Sequence, residues 1–379
     1  TKCYIAGYPR PQLVRRDWKD LNGEWKFGFG EETNVEAALA GNLPRKILVP
    51  FSYECKASGI GEHQPHSVVW YSRRIEGKGD KRAILYFEGA DYDTEVYIDG
   101  RLIGKHRGAY TRFSFDGAPD STPDALCRRA LEIGLTDLCI TDHCDVNGEA
   151  EGIYTHYDAD AAWDAMTEVQ EKYRGRLYIS RGLELGNATQ YPEIARSVLT
   201  RHPYEFVIGS LHNLCGVPDF SMLRFESMSE ALIDRLFCRA MDETEEMLRF
   251  EPPAGAPAIT TLGHLTYIHR YITMAGRRFD FRPHYDRIEA IYRLLMSRDI
   301  ALELNVSTLW RGFGIGMPTL ELLSFYRDCG GRLVTVGSDA HAPVNLGRCI
   351  RQGYALLNAA GLHEVLVVRD GARCLLPIE

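Results

Sequence analysis

Two patterns of apolar and polar residues follow each other along the 379-residue chain. Up to about residue 113, short aromatic and β-branched runs such as ILVPF, SVVWYSRRIE and TEVYIDG are separated by Gly, Asp and Lys, which is typical of antiparallel strands. Asp99-Gly100 between two apolar runs predicts a hairpin. From residue 114 onward, helical stretches such as STPDALCRRALEIG alternate with apolar strands such as LTDLCITDH. This alternation predicts a parallel sheet covered by helices.

Five predicted strands of the second segment end in a residue that can bind a metal ion. Because the carboxyl ends of parallel strands meet at one face of a sheet, these side chains are expected to converge. A single histidine at a strand end more often makes a structural hydrogen bond, but its repetition over successive strands favours a metal centre. Imidazole and carboxylate ligands favour Zn, Mn or Fe. The candidates are His143, Glu184, His212, His264, Asp339 and His341.

Charge and cysteine usage narrow the classes of partner. Residues 1–116 carry 18 basic and 16 acidic residues, whereas the remainder carries 26 and 36, within a net charge of -8. The acidic second segment argues against a nucleic-acid partner. Apolar runs stay well short of the roughly 20 residues of a membrane span, and no secretory signal is visible. Ten dispersed cysteines without a Cys-x-x-Cys pair predict reduced thiols and a cytoplasmic location.

An ordered set of motifs carries a specific resemblance in the second segment. FSFDGAPDS, ITDHCD, GLELG, GSLH, TLGHL, LELNVSTLWRGFG and VGSDAH follow each other in this order. With them, residues 112–379 resemble the polymerase-and-histidinol-phosphatase (PHP) superfamily, and within it the histidinol-phosphatases. The resemblance implies a distorted seven-stranded β/α barrel with two or three divalent metal ions. It also implies hydrolysis of a small phosphorylated substrate, histidinol phosphate, in histidine biosynthesis.

The same resemblance implies roles for individual residues. The six strand-end residues correspond to metal ligands, with Glu184 as the bridge between two ions. Asp142 would orient a ligand from its place beside His143. Arg311 would clamp the phosphate, the alternative being a solvated loop arginine. Asp116 matches the FSxDG stretch of the family and is expected near the metals.

The chain departs from the family pattern at its first motif. Members of the family begin with a strand that ends in His-x-His and supplies two ligands. The matching positions hold Gly108 and Tyr110, and His106 lies one pair too early on that strand. We therefore expect fewer bound ions and impaired activity.

The front segment carries a resemblance of its own. YPRPQLVRRDWKDLNGEWKFGF, ILVPFSYECKASGIG and GADYDTEVYIDGRLIGKHRGAYTRFSFD are similar to the sugar-binding jelly-roll domain of family 2 glycoside hydrolases. This likeness implies a sugar as a ligand of the front segment. The further domains of that family, including the catalytic barrel with two Glu, do not follow. The string TRFSFD is common to both resemblances, which makes the chain look like a chimera joined there.

These patterns predict two domains and three candidate functions. Residues 1–113 are predicted to form a truncated all-β jelly-roll sandwich, and residues 114–379 an α/β PHP-type barrel that lacks its native first strand. The leading function is metal-dependent phosphatase activity, impaired by the missing motif. The alternatives are a carbohydrate-binding or glycoside hydrolase fragment and a non-functional composite.

Overall fold

The computed structural model describes residues 19–75, 84–98, 100–108, 113–116, 122–151 and 157–378. It divides the chain into two compact units, Thr1–Pro119 and Asp120–Glu379. The division falls six residues after the predicted boundary, because the FSFD string pairs as a strand within the first unit. Asp99 and Tyr110 lie outside the described residues.

The first unit is built from short antiparallel strands, which confirms the predicted all-β segment. The first strand pairs with the second and third, the fourth with the seventh, and the fifth with the sixth. Among its described residues, the unit also contains one short α-helix. The elements are β1 (Gly23–Phe29), α1 (Val35–Leu39), β2 (Arg45–Val49), β3 (Val69–Ser72), β4 (Ile84–Phe87), β5 (Asp93–Ile98), β6 (Arg101–Arg107) and β7 (Phe113–Asp116).

The core of the first unit is small. Phe27, Phe29 and Ile47 are almost fully buried and form a small apolar cluster. The rings of Phe27 and Phe29 meet edge to face, with their centroids 5.0 Å apart. Tyr71 is 40% exposed, and its ring meets that of Phe27 edge to face, with the centroids 5.1 Å apart. Trp25, Trp70, Phe87 and Tyr97 are half-buried.

The second unit contains a sheet of six parallel strands in simple sequence order. This confirms the predicted α/β fold, with one strand fewer than a seven-stranded barrel among the described residues. Its outer strands are the first and the last. The strands are β8 (Asp137–Asp145), β9 (Tyr178–Gly186), β10 (Phe206–Ser210), β11 (Thr261–Leu262), β12 (Ala301–Asn305) and β13 (Val334–Gly337).

Helices connect these strands and cover the sheet. The predicted helix start at Thr122-Pro123 is present: the Thr122 side chain accepts a hydrogen bond from the Ala125 amide. None of the described helices is long and apolar enough to cross a membrane. The helices are α2 (Pro123–Glu132), α3 (Val146–Glu151), α4 (Ala159–Lys172), α5 (Pro192–Arg201), α6 (Glu230–Leu248), α7 (Tyr267–Met274), α8 (Tyr285–Ser297), α9 (Ser307–Trp310), α10 (Leu320–Asp328) and α11 (Ile350–Ala360).

A C-terminal hairpin packs against the beginning of the parallel sheet. It consists of β14 (Glu364–Arg369) and β15 (Ala372–Pro377), which pair antiparallel. The Arg369 guanidinium donates two hydrogen bonds, of 2.6 and 2.8 Å, to the carboxylate of Asp137 at the start of β8. The Ser180 hydroxyl of β9 donates to the Val368 carbonyl at 2.6 Å. The hairpin is therefore fastened to two neighbouring strands.

Candidate metal centre

The carboxyl ends of the parallel strands bring the predicted ligands together. His143 on β8 lies directly across from Glu184 on β9 in the sheet register. His212 follows β10 and His264 follows β11. His341 follows β13. Its Nε2 lies 3.3 Å from Nε2 of His143, so the carboxyl-terminal ends of the two outer strands approach each other and the sheet is strongly curved.

One group of three buried donors forms the inner part of this centre. Glu184 Oε1 lies 3.2 Å from Nε2 of His212 and 3.1 Å from Nε2 of His264. The two imidazole nitrogens are 3.4 Å apart. Two histidine nitrogens bound tetrahedrally to one zinc ion are separated by about 3.3 Å, given zinc–nitrogen bonds of about 2.0–2.1 Å. The three atoms thus have the spacing of ligands around a single first-row metal ion.

A second group of donors is more exposed. The Nε2 atoms of His143 and His341 have the same spacing, and Nδ1 of His143 lies 3.3 Å from Glu184 Oε2. Asp339 Oδ1 lies 3.4 Å from Nδ1 of His341. The two oxygens of Glu184 therefore face different histidines. All six predicted residues lie within this continuous set of contacts, and their binding of metal stays a prediction.

Four polar residues that sequence reasoning did not select hold the donors in place. Asp145 Oδ1 lies 2.6 Å from Nδ1 of His212. The Ser210 hydroxyl donates to Glu184 Oε1 at 2.6 Å. The remaining two residues act on backbone amides: Asn187 Oδ1 accepts from the amide of His212 at 3.0 Å, and Glu303 Oε2 accepts from the amide of His264 at 2.7 Å.

Glycine is required where Asp145 approaches His212. Gly186, at the end of the GLELG motif, lies across from Asp145 in the sheet register. A Cβ atom on Gly186 would collide with Asp145 Oδ1 and lie 3.2 Å from Nδ1 of His212. The missing side chain thus leaves the space through which the carboxylate reaches the imidazole.

The charges of the inner donors depend strongly on one another. Burial alone would raise the pKa of Glu184, but His143, His212 and His264 together lower that pKa well below its usual range. Burial alone would lower the pKa of His212, but Asp145 and Glu184 raise it well above the usual value. Burial also raises the pKa of Glu303 to about 7. Such mutual shifts are typical of functional sites.

The side chains present fit a divalent ion. The donors are imidazole nitrogens and carboxylate oxygens, which suit Zn, Mn or Fe. His264 and Asp339 have positive φ angles of 24° and 50°, which non-glycine residues seldom adopt. Nδ1 of His264 is buried without a hydrogen-bond partner among the described residues, whereas its Nε2 faces Glu184. The backbone is thus constrained in unusual conformations where the donors converge.

Three other predicted residues occupy different surroundings. Asp142 is exposed, and because side chains alternate along β8 it leaves the strand on the side opposite to His143. Arg311 follows α9 and stacks on Trp310, with its guanidinium carbon 4.6 Å from the ring centroid. Asp116 is in β7 of the first unit, paired with Ile84. Their roles stay predictions.

A buried arginine close to the centre was missed by sequence reasoning. Arg270 on α7 is only 8% exposed, and its Nη1 lies 4.0 Å from Asp339 Oδ2. The guanidinium lies over the rings of Tyr267 and Tyr271, at 5.8 and 5.4 Å. Tyr267 in turn packs against His264, with ring centroids 4.8 Å apart. Nothing in the sequence distinguishes Arg270 from other helical arginines, since only its burial reveals it.

The front segment is similar to parts of much longer glycosidases. It is 32% identical over 108 residues to a beta-galactosidase of Thermoanaerobacter pseudethanolicus, covering 26% of this chain and 13% of that protein. It is 27% identical over 107 residues to a beta-glucuronidase of Streptococcus agalactiae, covering 17% of that protein. This partial similarity of the front segment to glycosidases supports the predicted chimera.

The second unit is similar to histidinol-phosphatases over nearly their full length. A histidinol-phosphatase of Lactococcus lactis is 22% identical over 258 residues, covering 68% of this chain and 91% of that protein. A probable histidinol-phosphatase of Thermotoga maritima is 27% identical over 244 residues, covering 64% and 86%. The crystal structure of the Lactococcus lactis histidinol phosphate phosphatase, complexed with zinc, L-histidinol and phosphate, shares the fold. Its TM-score is 0.53 at 19% identity, covering 66% of this chain and 92% of that one.

The PHP domain family model matches residues 109–307, more than half of the chain. The match includes β8 to β12 and the first four of the six predicted ligands. Together with the parallel sheet and the donors at its strand ends, it shows that this chain belongs to the PHP domain family.

Proposed function

We propose that the second unit is a metal-dependent phosphatase for small phosphate monoesters, and that histidinol phosphate is its substrate in histidine biosynthesis. The observation that carries the proposal is the arrangement of two histidine pairs, each with nitrogens 3.3 or 3.4 Å apart, on either side of Glu184. The relatives named histidinol-phosphatases support the choice of substrate.

The proposed ligands form two groups. Glu184, His212 and His264 would hold one ion, and His143, His341 and Asp339 a second. When bound, such ions make water a better nucleophile at neutral pH and neutralise charge on the phosphoryl oxygens. The buried carboxylates balance part of the positive charge of the ions.

The other residues of the centre would orient ligands and substrate. Asp145 would keep the proton of His212 on Nδ1, which leaves the Nε2 lone pair directed toward Glu184 and His264. Arg270 would contact a phosphate oxygen, because its guanidinium is buried beside Asp339 and an arginine can donate two parallel hydrogen bonds to an oxyanion. In the free protein, Asp339 and the two tyrosine rings keep this cation in position.

We further propose that turnover is slow. Gly108 lies where the resemblance places a histidine ligand, and glycine offers no side-chain donor. Its φ of +128° and its hydrogen bond to the Tyr92 carbonyl fit the end of a strand of the first unit. The native first strand of the barrel would have supplied further ligands beside β8.

The decisive experiment measures phosphate release from histidinol phosphate by the purified full chain with added manganese or zinc. The matched control is Glu184→Gln, which keeps the size of the side chain but removes the charge shared by both histidine groups. We expect slow, metal-dependent release that this variant abolishes. Equal release by the variant and the parent chain, or release unaffected by a chelator, would contradict the proposal.

A carbohydrate-binding role for the first unit is a second candidate, favoured by its likeness to the beta-galactosidase fragment. An open cleft lined by Lys26, Glu32, Asn34 and Asn42 offers hydrogen-bonding groups for hydroxyls. Calorimetric titration with galactosides and glucuronides tests it. Heats indistinguishable from dilution at millimolar sugar would count against binding.

A further inference from the structure

A second cluster of metal-binding side chains lies on the outer helices of the second unit. Asp234 and Cys238 are one turn apart on α6, and His284 directly precedes α8. Cys238 Sγ lies 3.6 Å from Nδ1 of His284, and Asp234 Oδ1 lies 3.0 Å from Nε2 of the same ring. One donor atom from each residue lies within 4.8 Å of the other two. None of these three residues belongs to the strand-end centre.

The histidine of this cluster is fixed, whereas the carboxylate is accessible. The His284 ring is 5% exposed and stacks on Phe279 with an interplanar angle of 10° and centroids 5.4 Å apart. The ring of Phe237 also lies against His284, with the two centroids 4.9 Å apart. In contrast, the Asp234 side chain is 54% exposed, and Cys238 is a half-buried free thiol. A ligand from solvent can therefore approach a donor group whose imidazole is already oriented.

We propose that Asp234, Cys238 and His284 form a second metal site, selective for a thiophilic divalent ion such as zinc. For bonds of about 2.3 Å to sulfur and about 2.0–2.1 Å to nitrogen, a tetrahedral ion separates the two donors by about 3.6 Å. This matches the separation of Cys238 Sγ and His284 Nδ1. Thiolate and imidazole together favour zinc over magnesium or manganese.

The carboxylate completes the site by a side-chain rotation. Asp234 now meets Nε2, on the other side of the ring from Nδ1, so it must turn toward Cys238 to join an ion held at Nδ1. Its exposure allows this movement, and residues four apart on a helix lie on the same face. Three protein ligands leave the fourth position to water. The bound ion links α6 to the segment before α8 and can exchange with solvent.

Cobalt distinguishes this site from the strand-end centre. A thiolate bound to Co²⁺ produces a sulfur-to-metal charge-transfer absorption in the near ultraviolet. The described donors of the strand-end centre are nitrogen and oxygen atoms, which do not produce it. We expect the full-length protein to develop this absorption on titration with Co²⁺ and to lose it on addition of zinc.

Three variants test the assignment. Cys238→Ser should abolish the absorption and lower the zinc content by one ion per chain. Asp234→Asn should weaken cobalt binding by about 10-fold or more, since loss of even an orienting partner costs about 10- to 100-fold. Cys329→Ser, which changes another half-buried free cysteine away from the cluster, should leave both measurements unchanged.

A measurement on the unaltered chain guards against variants that fail to fold. Bound zinc should slow alkylation of Cys238 by iodoacetamide, read by mass spectrometry of the peptide that contains it, relative to Cys329 in the same sample. Equal alkylation rates of Cys238 with and without zinc would overturn the proposal. So would a charge-transfer absorption that persists in a folded Cys238→Ser variant.

Discussion

Asp145 Oδ1 and His212 Nδ1 lie 2.6 Å apart, and this contact determines which nitrogen of His212 is available for a ligand role. A carboxylate accepts the proton of Nδ1, which leaves the lone pair on Nε2. Nε2 is the atom that faces Glu184 and His264. Asp145 thus orients the imidazole through Nδ1, the nitrogen that does not face Glu184 and His264.

Replacement of the Asp145 carboxylate should lower the metal affinity of the centre without abolishing metal binding. We expect Asp145→Asn to lower metal affinity by about 10- to 100-fold, because the partner of His212 loses its charge. Metal titration followed by calorimetry measures the effect. Asp142→Asn is the matched control, since Asp142 is exposed on the opposite side of β8. A larger loss in the control than in Asp145→Asn would show that Asp142 is the orienting residue.

Arg270 and Arg311 are competing candidates for the phosphate contact. We expect Arg270→Gln to lower kcat/KM by about 10- to 100-fold, which corresponds to the loss of one charge-assisted hydrogen bond at about 1.5–3 kcal/mol. Arg311→Gln should have a smaller effect, because Arg311 stacks on Trp310. Steady-state kinetics with histidinol phosphate compare the two. The opposite ranking would restore Arg311 to the role that sequence analysis gave it.

Reintroduction of the two missing histidines tests whether the segment after β6 can take the place of the first barrel strand. β6 pairs with β5 of the first unit, and Gly108, just beyond it, has a φ of +128°. A side chain is strained in that conformation. We therefore expect Gly108→His with Tyr110→His to lower stability and to leave manganese-dependent hydrolysis unchanged. A clear gain in activity would mean that the segment can take the place of the first barrel strand.

The ion pair of Asp137 and Arg369 should make the free energy of unfolding depend on pH in the acid range. Burial alone would raise the pKa of Asp137, but hydrogen bonds from Arg369 and Thr136 lower it below the ordinary 3.8. A lowered pKa contributes stability above pH 3.8, and the contribution disappears as the pH falls through the folded-state value.

Asp137→Asn should therefore reduce the free energy of unfolding at neutral pH by about 1–3 kcal/mol. The parent and the variant should converge at acid pH, below the folded-state pKa of Asp137. Urea unfolding at both pH values measures this. The control is Glu289→Gln, which removes the partner of Arg293 in a more exposed ion pair than that of Asp137 and Arg369. It should change the free energy of unfolding by less than about 1 kcal/mol. A difference that persists in acid would exclude the proposed linkage.

The location of the centre was predictable, whereas its supporting contacts were not. Candidate ligands recur at strand ends, and parallel strands bring those ends together. Glu184 and His212 could therefore be selected as ligands from the sequence. Asp142 was chosen because it is next to His143 in sequence, and its role stays a prediction, since adjacent residues of a strand point to opposite sides. Asp145, two residues after His143, directs its side chain to the same side of β8 as His143. Its partner His212 follows β10, so their contact depends on where β10 lies. Arg270 is set apart only by burial, which emerges from tertiary packing.

The C-terminal hairpin has a consequence for the order of folding. Its contact between Arg369 and Asp137 joins residues 232 positions apart, and the hydrogen bond of Ser180 to Val368 spans 188 positions. Contacts of such long sequence separation form slowly, because chain entropy must be lost before they are gained. During synthesis, β8 and β9 emerge long before the segment that fastens them. A nascent chain therefore keeps the start of its parallel sheet without this hairpin until β14 and β15 have been synthesised, and in that interval it depends on other contacts for protection.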